Sequence, residues 1–251
     1  MIKGLYTAGA AMLAAEKQSS ITANNLANAG TVGFKRAGSL KRSFPEMLLK
    51  KIEAGEKNRE IGSISSGVYT ERKFKDMSQG DLRKTGNKLD LFIQGEGFFA
   101  VQTPGGIRYT RNGNFTLNRN SEIVTQSGYQ LLDINGEPVQ TIPEREFFID
   151  GQGQLSFSGG LQGAEIAVVN FPEEESLIQE GDNLYVPADE AQMPAATDAV
   201  ILQGYLENSN VEIVKEMVNM IKTTRHYEAG QKVISSIDDS LGKAINEVGK
   251  A

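Results

Sequence analysis

Four places in this chain carry residues whose types and spacing could do chemistry. His226 stands between Arg225 and Tyr227 and is the only histidine, so no multi-histidine metal site can be assembled, and a solvent-facing or subunit-facing role fits it better than catalysis. Gly95-x-Gly97-x-x-Ala100 imitates a dinucleotide fingerprint, but that motif places phosphate at the start of a helix, and Phe98-Phe99-Ala100-Val101 reads as a strand. Asp133, Asn135 and Glu137 gather at a turn without the remaining ligands and distant bidentate glutamate of a calcium loop, so turn chemistry accounts for them. Glu173, Glu174, Glu175, Glu180 and Asp182 form an acidic stretch with no lysine or arginine beside it in sequence. It reads as a solvated loop, the alternative being a salt-sensitive contact with a basic region of a neighbouring subunit. With no cysteine there is no thiol nucleophile, thiolate metal site or disulfide. The expectation is a protein that is no enzyme and holds no cofactor or metal.

What must be positioned is therefore a fold rather than a catalytic constellation. The 251 residues, without an apolar run of membrane-spanning length, suffice for one or two domains with a real core. A formal charge of -6 argues against a general nucleic-acid binder. Glycine is abundant at 27 residues, and since helix interiors disfavour it, the pattern implies a turn-rich β middle between helical ends.

The C-terminal end reads as one long helix. Ser209-Asn210-Val211-Glu212 has the spacing of a capping box. Beyond it Ile213, Met220, Tyr227, Ile234, Leu241 and Val248 recur every seven residues, with Met217, Ile237 and Ala244 between them, which draws a narrow apolar seam. A helix over Val211–Val248 is about 57 Å long at about 1.5 Å per residue, and its seam needs a partner helix. Ile2–Ala29 supplies one, with Leu5, Met12 and Leu26 set among alanines and Gly30 placed as a left-handed cap. Its small, apolar opening resembles a short signal peptide, but helical character continues unbroken to Leu26, which favours an uncleaved helix. Asn24, Asn25 and Asn28 fit capping and fraying near the helix end, or hydrogen bonding to a neighbouring subunit.

Between the ends, Phe34 to Lys51 is basic and reads as a solvated face. A short helix is expected over Pro45–Glu53, with Phe44, Met47, Leu48 and Ile52 as its apolar side, and a flexible crossing over Ala54–Gly67. From Val68 to Tyr205 the pattern predicts a compact, mostly antiparallel β domain. Strands are expected at Leu89–Ile93, Phe98–Val101, Ile107–Thr110, Phe115–Leu117, Tyr129–Leu132, Phe147–Ile149, Leu155–Phe157 and Ile166–Phe171, with turns at Pro104-Gly105-Gly106, Asn112-Gly113, Asn135-Gly136, Asp150-Gly151 and Gly159-Gly160.

Several boxes along the chain resemble the bacterial flagellar rod and hook family. Ala23-Asn24-Asn25-Leu26-Ala27-Asn28 with Thr31-Val32-Gly33-Phe34-Lys35 is similar to its first signature, and Thr85-Gly86-Asn87-Lys88-Leu89-Asp90 through Gly95-Glu96-Gly97-Phe98-Phe99 to its second. Tyr109-Thr110-Arg111-Asn112-Gly113-Asn114-Phe115, Gly181-Asp182-Asn183-Leu184-Tyr185 and Gln203-Gly204-Tyr205-Leu206-Glu207-Asn208-Ser209-Asn210-Val211 resemble three more. The resemblance covers nearly the whole chain and is weakest over residues 37–68 and 171–199.

The resemblance implies an α+β fold whose long terminal helices pair as a coiled-coil-like stalk beside a central, mostly antiparallel β domain. Residues 1–36 and 205–251 would form the terminal assembly domain, 37–67 a linker and 68–204 the β domain. The implied role is a structural axial subunit of the basal-body rod, which polymerises through its helices into the shaft between motor and hook. The implied partners are other copies of the chain, neighbouring rod and hook proteins and the flagellar export apparatus, with no nucleic acid or small-molecule substrate. The implied location is the basal body, in the periplasm or cell-wall space, reached without a cleaved signal peptide. The stretch Lys232–Asp239 looks more like the proximal than the distal rod class. The expected assembly residues are Leu5, Met12, Asn24, Asn25, Leu26, Asn28, Gly33 and Phe34 from the first end, and Ile213, Met217, Met220, Tyr227, Ile234, Ile237, Leu241 and Val248 from the second. The rival reading is a secreted, adhesin-like β module that its helices merely oligomerise.

Overall fold

The computed structural model describes residues 2–45, 47–51, 59–64, 67–171, 177–181, 183–188, 195–196 and 199–248. The chain forms two compact units. The first comprises Met1–Ala27, Ala37–Lys75 and Glu212–Ala251, and the second Asn28–Arg36 and Asp76–Val211.

The first unit holds helix α1 (Ile2–Ala27) and helix α2 (Ile213–Val248), which pack against each other. They run antiparallel, because Gly4 lies against Ile237 while Gly230 lies against Met12. Small residues allow that closeness: Ala8, Ala15 and Thr22, seven apart on α1, are buried, and on α2 Thr223 is buried and Gly230 half-buried at the same spacing, one turn-pair beyond the buried Glu216. A Cβ at Gly230 would come 2.6 Å from Met12 Cγ, so a residue that ordinarily weakens a helix by about 1 kcal/mol is what admits the neighbouring helix.

The helix ends differ from expectation. α1 stops at Ala27, the Thr31 amide then donates to the Asn28 carbonyl at 3.1 Å, and the left-handed residue is Gly33 at φ 66° rather than Gly30. At α2 the capping box does not form. The Ser209 hydroxyl accepts from the Val211 amide at 3.3 Å, and the Glu212 carbonyl takes the first helical bond, from the Glu216 amide at 3.0 Å. Glu212 thus occupies the cap position, and its carboxylate accepts from Lys215 Nζ at 2.5 Å instead of reaching back.

The segment expected as linker and short helix is paired. Ala37–Ser43 runs antiparallel to Val68–Lys75, and Met47–Lys51 antiparallel to Arg59–Ile64, so a strand stands where Pro45–Glu53 was expected to be helical. A short apolar run fits either period, and here backbone pairing decides it. Glu46, Ile52–Asn58, Ser65 and Ser66 lie outside the described residues.

In the second unit every strand pairing among the described residues is antiparallel. Phe98–Thr103 is central and buried on both faces, since successive side chains of a strand point to opposite sides. Phe99 and Val101 join a core of Leu91, Ile93, Phe115, Leu131, Leu155 and Ile166, while Phe98 joins Phe171, Leu177 and Tyr185. The expected hairpin at Pro104-Gly105-Gly106 is present, with Gly106 at φ 105°. Two further pairings close the unit: Leu82–Lys84 with Tyr205–Glu207, and Leu91–Gln94 with Val200–Gln203.

Candidate functional site

Four of the sequence boxes meet in the second unit at a buried ionic cluster. Lys35 is 1% exposed, and its ammonium group lies 2.6 Å from Glu207 Oε1 while donating to the Ser78 carbonyl at 2.8 Å. The Gly80 amide donates to the same carboxylate oxygen at 2.9 Å. Arg111 Nη1 stands 3.6 Å from Glu207 Oε2 and donates to the Ile93 carbonyl at 3.4 Å, with its guanidinium 5.3 Å over the Phe98 ring. Tyr185 closes the cluster, its hydroxyl buried without a hydrogen-bond partner among the described residues. Burial pushes that phenol far above its ordinary pKa; the positive charge of Arg111 opposes the shift and the negative charge of Glu207 adds to it.

The surroundings tie the segment after α1 in sequence to the segment before α2. The Gly33 amide donates to the Glu207 carbonyl at 2.9 Å, the Arg36 amide to Asn210 Oδ1 at 2.7 Å, and Asn183 Nδ2 to the Val32 carbonyl at 3.1 Å. Asn210 Nδ2 donates in turn to the Asp76 carbonyl at 2.8 Å. Hydrogen bonds from Ser78 hold the Asp76 carboxyl below its ordinary pKa against the cost of burial, helped by the charges of Arg36 and Lys35.

The glycines of these boxes are close-approach positions. A Cβ on Gly33 would lie 2.6 Å from the Arg111 carbonyl carbon, and one on Gly113 would lie 1.7 Å from the Leu91 carbonyl oxygen. The remaining box pairs off as well. The Thr85 and Gly86 amides donate to the Gly204 carbonyl at 2.9 and 3.0 Å, and the Gly204 amide donates to the Asp90 carbonyl at 2.8 Å. What the arrangement does chemically is fix a register between distant parts of the chain by charge and backbone pairing.

The expected assembly residues divide by unit. Gly33 and Phe34, at 2% exposure for Phe34, are interior to the second unit. Asn25, in the first unit, is committed within the chain: its Nδ2 donates to the Ala37 carbonyl and its Oδ1 accepts from the Ala37 amide, both at 2.8 Å. That two-way clamp pins the start of a strand, so Asn25 is neither a fraying cap nor an open amide. Asn24 is exposed, and Asn28 Oδ1 lies 3.3 Å from the Thr31 hydroxyl. Met12, Leu26, Met220, Ile234, Ile237 and Leu241 are half-buried, whereas Leu5, Ile213, Met217 and Tyr227 are exposed. Val248 ends α2, and its side chain lies outside the described residues.

Sequence reasoning missed the interior role of Lys35, which it placed on a solvated basic face. The one signal was its position directly after Gly33-Phe34, a close-packed glycine and a core aromatic. Arg42 does lie at the surface, 2.7 Å from Glu71. Within the acidic stretch, Glu180 meets Arg108 at 2.6 Å and so has a partner inside the chain; Glu173–Glu175 and Asp182 lie outside the described residues. The Asp133 turn is as expected, with Oδ1 accepting from the Asn135 and Glu137 amides at 2.9 and 2.8 Å. His226 is exposed at the edge of a groove of about 660 Å³ in the first unit, with Lys3, Gly4, Ala11, Val68 and Val233 on its walls.

Comparison with known proteins draws these boxes together. Residues 5–35 match the family described as flagella basal body rod protein, residues 92–220 the flagellar hook protein FlgE/F/G D1 domain, and residues 202–247 the flagellar basal body rod FlgEFG protein C-terminal region. The flagellar hook-basal body complex protein FlhO of Bacillus subtilis is 35% identical over 100% of both chains. The flagellar basal-body rod protein FlgG of Buchnera aphidicola subsp. Schizaphis graminum is 33% identical over 97% of this chain and 98% of its own. The flagellar basal-body rod protein FlgF of Caulobacter vibrioides is 32% identical over 100% and 99%. These full-length likenesses leave the adhesin-like reading without support. The chain belongs to the flagellar basal-body rod family.

Proposed function

We propose that this chain is a structural axial subunit of the flagellar basal-body rod, which polymerises through its terminal regions, residues 1–36 and 205–251, into the shaft that carries torque from motor to hook. The observation that carries the reading is the helix pair. Two helices from opposite ends of the chain pack together over small residues and leave Leu5, Ile213, Met217 and Tyr227 exposed. Apolar side chains left in water favour burial against something else, and in a rod that is another subunit. A coiled-coil-like stalk, built on Met220, Ile234, Ile237, Leu241 and Val248 beside Met12 and Leu26, follows from the same pairing. The partners are further copies, neighbouring rod and hook proteins and the flagellar export apparatus; the place is the basal body in the periplasm or cell-wall space, reached without a cleaved leader. Nucleic acid and small-molecule substrates have no part in it. The stretch Lys232–Asp239 favours the proximal class.

The test is complementation. A strain lacking this chain should be non-motile and regain motility with the wild-type chain, but not with Leu241→Asp or Ile234→Asp. The variants' second unit should remain folded, as read by near-ultraviolet circular dichroism of its buried tyrosine. Full motility with both variants would sink the role of the helices.

A further inference from the structure

The first unit wears two apolar patches that neither helix covers. On α1, Tyr6 and Leu13 are 71% and 61% exposed and seven residues apart, hence on one face, with Gly9 between them and nothing within 4 Å of where its Cβ would be. On α2, Val214, Met217, Val218 and Ile221 are 75%, 49%, 44% and 55% exposed and follow the i, i+3, i+4, i+7 spacing of a single stripe. Each patch lies on the side of its helix turned from the other helix, because the facing residues are Ala8 and Ala15 on α1 and Thr223 and Gly230 on α2.

The patches also match in length. Tyr6 to Leu13 and Val214 to Ile221 each span about 10 Å at about 1.5 Å per residue. Beyond them both outer faces turn polar, to Glu16, Lys17 and Ser20 on α1 and to Arg225, Glu228 and Lys232 on α2.

Because α1 and α2 are antiparallel, the patches sit at opposite ends of the pair and on opposite sides. The contact of Met12 with Gly230 sets Ala10 about level with Lys232, so Val218 lies about 14 residues, or about 21 Å, further along the axis.

We propose that these patches are the two halves of one contact between copies of this chain: the Val214–Ile221 stripe of one copy seats the Tyr6–Leu13 face of a second copy, displaced along the helix axis by about 20 Å. The proposal rests on the rod reading and names the face and register that reading leaves open. Both halves are carried by a single chain, differ from each other and lie at opposite ends. A contact of that kind is heterologous and repeats from copy to copy instead of closing a two-fold dimer. Gly9 provides the gap between two large side chains into which Val218 fits as a knob.

The absence of cysteine makes the test clean. Full-length chains carrying Leu13→Cys and Val218→Cys are expressed together, basal bodies are isolated and oxidised, and disulfide-linked dimer is measured. The expected yield is at least tenfold above that from Leu13→Cys paired with Lys232→Cys, the pair that unstaggered copies would bring together. A dominant Lys232 cross-link, or none in either pair although the basal bodies contain the chain, overturns the proposal while leaving the rod reading intact. Absence of the chain from basal bodies overturns both. Val218→Asp gives a second reading: the purified chain should melt at the wild-type temperature while basal bodies fail to form beyond it, and normal basal bodies with this variant would refute the contact.

Discussion

The two units bury opposite kinds of side chain. In the second, Phe98, Phe99, Phe115, Phe171 and Tyr185 are no more than 2% exposed, around a strand covered on both faces. In the first, the described buried side chains are Ala8, Ala14, Ala15, Thr22, Asn25, Glu216 and Thr223, with Ile21 the only large apolar one, while Tyr6, Leu13, Val214 and Ile245 stay in solvent. The β unit completes its core within one chain. The helix pair uses its small residues on its own contact and leaves its large ones exposed, which is the surface that the proposed rod assembly would cover with other chains.

This contrast can be broken from either side. Phe99→Ala should cost about 3–5 kcal/mol, by lost transfer and a cavity, and lower the urea midpoint of the β unit. Lys35→Met should cost about 3 kcal/mol by leaving Glu207 buried without its closest cation, and adding Glu207→Met should recover much of the loss because no charge is then stranded. An unchanged melting temperature in Lys35→Met would show the pair to be dispensable. By contrast Tyr6→Ser, at an equally large side chain in the helix pair, should move monomer stability by no more than about 0.5 kcal/mol. A loss comparable to that of Phe99→Ala would mean that the pair is complete in the monomer.

A pH dependence in the first unit gives a further test. Burial, helped by the charge of Lys73, lowers the pKa of Lys75 from 10.5 to about 8. Between those values the unfolded chain binds the proton and the folded chain does not, so this group makes stability rise with pH across the window and weakens the fold most fully below about 8. Lys75→Met should therefore flatten the difference in melting temperature between pH 7.5 and pH 10; an identical slope would remove Lys75 from the account.

Much of this was legible in the residues. The alternation and turn chemistry from Leu89 to Phe171 located most strands, because each turn needs glycine, proline or a side-chain acceptor such as Asp133. The long periodic ends located both helices. The inward face of α2 was legible only in part: Ile237 of the expected seam does lie against Gly4, but the small residues beside it were not picked out. The heptad through Ile213, Tyr227 and Leu241 marks where apolar residues recur, but the close contact uses Thr223 and Gly230, and hydrophobicity alone cannot separate a face meant for the same chain from one meant for another. Lys35 escaped for a related reason. A lysine among lysines and arginines looks solvated until its carboxylate partner, 172 residues away, is known. The strand Met47–Lys51 escaped because five residues are too few to show a period.

That 172-residue separation also sets a clock. A chain delivered from its N-terminus releases Lys35 long before Glu207, and the strands ending at Gln203 and Glu207 must arrive before Leu91–Gln94 and Leu82–Lys84 can pair. Closure over such spans is slow, since the loop entropy is lost before the contacts form. Those two pairings and the Lys35–Glu207 contact therefore wait until most of the chain has emerged, and a chain interrupted before Val200 lacks the partners of both strands.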